Sequence, residues 1–154
     1  MSKKQQKKYE FTGETKVEFG ITLHRIRAVV AIAAIDVAAG DLGGWIEKES
    51  NLSLVSGDAW VSGNARVSGN ARVYGDGLIF WASQVGSENG TLTVYNTRDN
   101  TLQVTRGCFV GSVDEFLEAS ERKHDDDTHL EYRLLIEIAH SRITRARAKL
   151  EADQ

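Results

Sequence analysis

One branched apolar residue recurs every sixth position over residues 53–88: Val55, Val61, Val67, Val73, Ile79 and Val85. Two positions before each stands a small residue: Ser53, Ala59, Ala65, Ala71, Gly77 and Ser83. The stretch therefore reads as six hexapeptides in register, SLVSGD, AWVSGN, ARVSGN, ARVYGD, GLIFWA and SQVGSE. A short fixed period with one apolar site per repeat predicts a left-handed parallel β-helix of about two turns, in which residues eighteen apart stack. The branched column would fill a narrow prism and the small residues would make room for it. Gly57, Gly63, Gly69 and Gly75, followed by Asp58, Asn64, Asn70 and Asp76, fall at the corners. Positive φ is least costly there for Gly and is tolerated by Asn or Asp. The last two hexapeptides carry Trp81-Ala82 and Ser87-Glu88 instead, which marks where the coil meets its cap.

Around the repeats the pattern changes. Val17, Phe19, Ile21 and Leu23 alternate with polar or small residues, as in one half-buried extended segment. Gly40, Gly43 and Gly44 permit a tight entry to the repeats. Asn89-Gly90 is a turn signal, and TLTVY and TLQVT flank Arg98-Asp99-Asn100 as a hairpin. SVDE at 112–115 and THLE at 128–131 match capping boxes, predicting helices over residues 113–122 and 129–150. The expected class is mainly β with a helical C-terminus. It forms one domain with a basic disordered arm (1–8), an N-terminal strand segment (9–51), the β-helix (52–88), a hairpin (89–111) and a helical tail (112–150).

Stacking at eighteen residues would set Trp60 with Leu78 and Phe80 on one outward face. That aromatic and aliphatic patch calls for a cover. Leu130, Leu134, Ile138 and Leu150 offer a matching stripe, either from the chain's own helices or from another subunit, so a homo-oligomer, dimer or trimer, is expected.

Composition narrows the chemistry. A net charge of −3 in 154 residues gives no global pull toward nucleic acid or membrane. The basic start, Lys3, Lys4, Lys7 and Lys8, and the run Arg142, Arg145, Arg147 and Lys149 are read as a solvated tail and helix face. Nucleic acid is the weakest of the partner assignments. One cysteine, Cys108, excludes an internal disulfide and fits a reducing cytoplasm. With Phe109 and Val110 beside it, Cys108 reads as a small buried apolar residue. No signal-peptide core or membrane span is visible. His24, His124, His129 and His140 all lie outside the repeats, so no catalytic residue, metal site or cofactor is assigned. The ligand-binding candidates are the cations Arg25, Arg27, Arg66 and Arg72, with Trp45, Tyr74 and Trp81 available for stacking; Arg98 and Arg106 extend the set.

The hexapeptides resemble the left-handed β-helix of bacterial acyltransferases. The fuller pattern, LHRIRAV at 23–29, AGDLGGWIE at 39–47, NLS at 51–53, the GDAWVSGNARV repeats and TRGCFVGSVDEF at 105–116, looks like a family of small phage and prophage proteins. Its members are commonly taken for transferases on the strength of the repeats. The resemblance covers roughly residues 8–143 and implies an accessory protein acting in the bacterial host cytoplasm. The leading expectation is a non-enzymatic protein that binds and inhibits or sequesters a component of a host defence system, either a protein complex or a nucleotide signal. A hexapeptide-type acyltransferase or its inactive relative is one alternative, and a structural or assembly protein of the phage is the other.

Overall fold

The chain builds two four-stranded sheets followed by two helices. The computed structural model describes residues 7–18, 20–54, 59–75 and 77–152. The first sheet runs β1 (Tyr9–Glu18), β2 (Ile21–Ala28), β3 (Leu42–Ile46) and β4 (Arg66–Val67), antiparallel except for the parallel β3–β4 pair. The second is an antiparallel meander of β5 (Ile79–Val85), β6 (Gly90–Asn96), β7 (Leu102–Arg106) and β8 (Phe109–Ser112). Helices α1 (Val113–Lys123) and α2 (Asp126–Ala152) close the chain.

This overturns the left-handed β-helix. Among the described residues no strand pairing joins repeats eighteen apart. Trp45 and Ile46 pair instead with Arg66 and Val67, and Leu52 bridges Val73, so the segment preceding the repeats lies parallel to them. The fifth and sixth hexapeptides form β5, which pairs antiparallel with β6. The physical cause lies in the corners. Gly63 and Gly69 adopt φ of 57° and 58° and turn the chain, whereas GLIFWA lacks the pair and continues as a strand. The first hexapeptide's Val55, Gly57 and Asp58, and Asp76 of the fourth, lie outside the described residues.

The apolar column nevertheless supplies core. Val61, Val67 and Val73 are fully buried with Ala59, Ala65 and Ala71 beside them, while Ile79 and Val85 are half-buried. Close approach is enforced at Gly44, where a Cβ would meet the Ala65 carbonyl at 2.6 Å and Val61 Cγ1 at 2.7 Å. Two buried asparagines serve as backbone latches. Asn51 Nδ2 donates to the carbonyls of Gly69 and Ala71, each at 3.1 Å. Asn96 donates to those of Arg72 and Thr97 and accepts from Arg147 of α2 at 2.7 Å. Bonds of this kind satisfy carbonyls that irregular chain would leave orphaned in the interior.

Further expectations are corrected. The alternating segment around residue 19 is a hairpin, with Glu18 paired to Ile21. Lys8 belongs to the folded chain: its Nζ donates to the Ala59 carbonyl at 2.8 Å. Of the rest of the basic arm, Lys7 is exposed and residues 1–6 fall outside the described residues. Trp60 and Leu78 form no outward face. Trp60 packs edge-on to Tyr9 at 6.5 Å, Leu78 is wholly buried, and only Phe80 stays half-buried. Helix α2 does cover β5, but through Tyr132, Ile136, Ala139 and Ile143, leaving Leu130, Leu134 and Ile138 exposed. The Ser112–Glu115 capping box forms at 3.1 Å in both directions. At the second helix Asp125, not Thr128, caps by accepting from the Thr128 N–H at 2.8 Å, and Glu131 accepts from Gly86 N–H at 2.6 Å.

Candidate functional site

The sheets meet along a seam in which Arg66 is the central side chain. Register in the first sheet puts Arg25, Trp45 and Arg66 side by side on neighbouring strands β2, β3 and β4. Arg66 is then held on all sides. Its backbone N–H donates to Thr93 Oγ1 at 3.2 Å and its carbonyl accepts from Thr105 Oγ1 at 2.9 Å. Its guanidinium bonds the Gly107 carbonyl at 2.9 Å and pairs with the Glu18 carboxylate. Arg66 thereby ties β1 and β4 of the first sheet to β6, β7 and the β7–β8 turn of the second.

Trp45 is a platform for cations. The Lys16 ammonium lies 4.2 Å from its ring centroid and the Arg25 guanidinium 5.7 Å, within cation–π range. Lys16 also pairs with Glu18 at 3.2 Å, and Arg25 with Glu14 at 3.6 Å. Burial lowers the proton affinity of Lys16, and the Arg66 and Arg25 charges lower it further against the opposing pull of Glu14. Arg66 is likewise lowered, first by burial and then by Arg106. Around the seam four cations, Lys16, Arg25, Arg66 and Arg106, stand against three carboxylates, Glu14, Glu18 and Glu88.

Two clefts share the β7–β8 turn, Arg106-Gly107-Cys108. One, of about 740 Å³, is lined by the cations Lys16, Arg66 and Arg106, the carboxylates Glu18 and Glu88, and the polar Asn64 and Thr91. The other, of about 500 Å³, runs between that turn and α1 and includes Cys108, Phe109, Phe116, His124 and Tyr132. Arg106 stands between them, 6.0 Å from the Tyr132 ring. Its Nε is buried without a hydrogen-bond partner.

Of the sequence candidates, Arg25, Trp45 and Arg66 are brought together, though the Arg66 guanidinium is already engaged by Glu18 and the Gly107 carbonyl and Trp45 is covered by cations rather than open to a base. The others are dispersed. Arg27 pairs with Glu10, Arg72 lies over Tyr74 at 4.8 Å, and Trp81 is 38% exposed on β5. Lys16, Asn64 and Thr91 escaped the sequence reading; recognising the β1–β2 hairpin would have put Lys16 beside Arg25. Cys108 is exposed, not a buried apolar residue, because it falls in a turn rather than within a strand. Three of the four histidines make structural contacts: His24 stacks on Phe11 at 4.5 Å, His129 Nδ1 hydrogen-bonds with Ser120 Oγ at 3.0 Å, and His124 lies 5.5 Å from Tyr132; His140 is exposed.

Among the described residues no cluster of three or more His, Cys, Asp or Glu is arranged for a metal ion, and no helix is long and apolar enough to cross a membrane. No family model, curated protein or solved structure matches the chain.

Proposed function

We propose that the protein acts by binding, without catalysis, and that the seam cleft takes an anionic, nucleotide-class ligand through Lys16 and Arg106. The observation that carries this is the convergence of Lys16, Arg66 and Arg106 on one cleft with only Glu18 and Glu88 as counter-charges, where burial first and the Arg66 and Arg25 charges next depress the proton affinity of Lys16. An added phosphate relieves that repulsion and gains charge-assisted hydrogen bonds in a partly desolvated site. Asn64 and Thr91 supply polar contacts for the sugar or base. The phage-like motifs favour sequestration of a host defence signal as the biological use.

Calorimetry against linear and cyclic nucleotides tests this. Lys16→Ala and Arg106→Ala should each weaken binding about tenfold, roughly 1.4 kcal/mol. Affinity should fall as pH rises through the lowered pKa of Lys16, since the bound anion holds the protonated ammonium. Absence of heat with every nucleotide would exclude the assignment.

A further inference from the structure

Helix α2 carries a second surface, facing away from the seam. Tyr132, Ile136, Ala139 and Ile143 line its buried side. On the opposite side Leu130, Leu134 and Ile138 are 42%, 48% and 49% exposed. At about 100° per residue they form one stripe, continued by Ser141 and ended by Asp127 on one side and Arg145 on the other. Three large apolar side chains in a row on a solvent face mark a contact surface rather than scattered exposure.

The charges around the stripe say what covers it. Its N-terminal half carries Asp127 and Glu131, and its C-terminal half Arg142 and Arg145. Arg133 and Glu137 lie along the other flank. Two copies of α2 laid antiparallel, with a two-fold axis at the level of Ile136, set Leu134 of one against Ile138 of the other. The same register opposes Asp127 to Arg145, Glu131 to Arg142 and Arg133 to Glu137, each pair twice by symmetry. Such self-complementarity is what an isologous interface requires. Among the described residues Asp127, Arg133, Glu137 and Arg142 enter no ion pair, and Glu131 spends one oxygen on Gly86. A parallel two-fold pair would instead set Asp127 against Asp127 and Arg145 against Arg145, since both lie on the stripe itself.

We infer that the protein forms a homodimer through antiparallel pairing of α2, with Leu134 and Ile138 of both copies at its centre and Leu130 toward each end. One helix per subunit makes an interface at the small end of specific ones, so association falls in the micromolar range. The contact lies on the face of α2 opposite Tyr132 and is independent of the ligand cleft.

Sedimentation equilibrium from about 1 µM to about 500 µM should show a monomer–dimer equilibrium. Leu134→Lys should weaken it at least about tenfold, since the residue enters from both copies. Glu137→Arg should weaken it too by facing Arg133 of the partner, and the double swap Arg133→Glu/Glu137→Arg should restore it. Circular dichroism of each variant checks that α2 remains helical. A monomer throughout the range, a dimer indifferent to Leu134→Lys, or a double swap that restores nothing while α2 stays helical would each overturn the antiparallel interface.

Discussion

The second to fourth hexapeptides and the last two share a period and an apolar position, yet they fold in opposite ways. Residues 59–75 turn at their Gly-Asn corners and lie alongside β3 and the chain after it, burying Val61, Val67 and Val73 completely. Residues 79–85 form β5, pair antiparallel with β6 with a register shift between Ala82 and Val85, and leave Ile79 and Val85 half-buried. The period alone does not choose between these outcomes. The residues after the apolar site do for the fifth repeat: Ser-Gly-Asn turns with positive φ at Gly63 and Gly69, while Phe-Trp-Ala favours extended backbone, and the strand ends only at Gly86, where φ is again positive.

The sharpest way to break the first region is Gly44→Ala. Its Cβ would press against the Ala65 carbonyl and Val61 Cγ1, so the repeat segment must move off β3. A loss of about 3 kcal/mol is expected in urea unfolding. Next comes a matched pair of truncations. Val67→Ala, at a fully buried site, should cost about 2 kcal/mol, and Val85→Ala, at a half-buried one, about 1 kcal/mol or less. Equal losses would mean that the two regions contribute alike to the core. Gly69→Ala probes the corner by itself, because only Gln103 Oε1 lies near its Cβ position, at 3.8 Å, and φ is +58°. The cost there should be about 1 kcal/mol, from backbone strain alone.

The smallest effect concerns acid. Hydrogen bonds from Thr128 hold the Asp125 carboxyl below the usual range, and those from Ser112 do the same for Glu115. A folded-state pKa below the unfolded one contributes stability above the unfolded value and loses it as pH falls through the folded value. Thermal melts followed by helical circular dichroism should therefore show a slight loss as pH falls below the usual carboxylate range, reduced in Asp125→Asn. Both groups are exposed, and neither touches the repeat segment, so acid should loosen the helices first.

Local chemistry was legible wherever neighbours in sequence decide it. The small-x-branched spacing marks Val61, Val67 and Val73 as interior, Gly63 and Gly69 turn as read, and Ser112 with Glu115 starts α1. The candidate site was legible only in part. Arg25, Trp45 and Arg66 were singled out by type, but their adjacency depends on strand order β2-β3-β4. Lys16 joins them only because the chain folds back after Glu18.

Sequence by itself determined which side chains must leave water and where the backbone must turn, since hydrophobicity, φ preference and capping act within a few residues. Tertiary structure alone decided which segments pair. The parallel partner of Val67 is Ile46 rather than another repeat, and the face of α2 that meets β5 is Ile136 and Ala139 rather than Leu134 and Ile138. Hydrogen-bonding partners for an extended segment are interchangeable along the chain. The choice among them is made by close packing at places such as Gly44 and by latches such as Asn51 and Arg66, which exist only once the sheets have met.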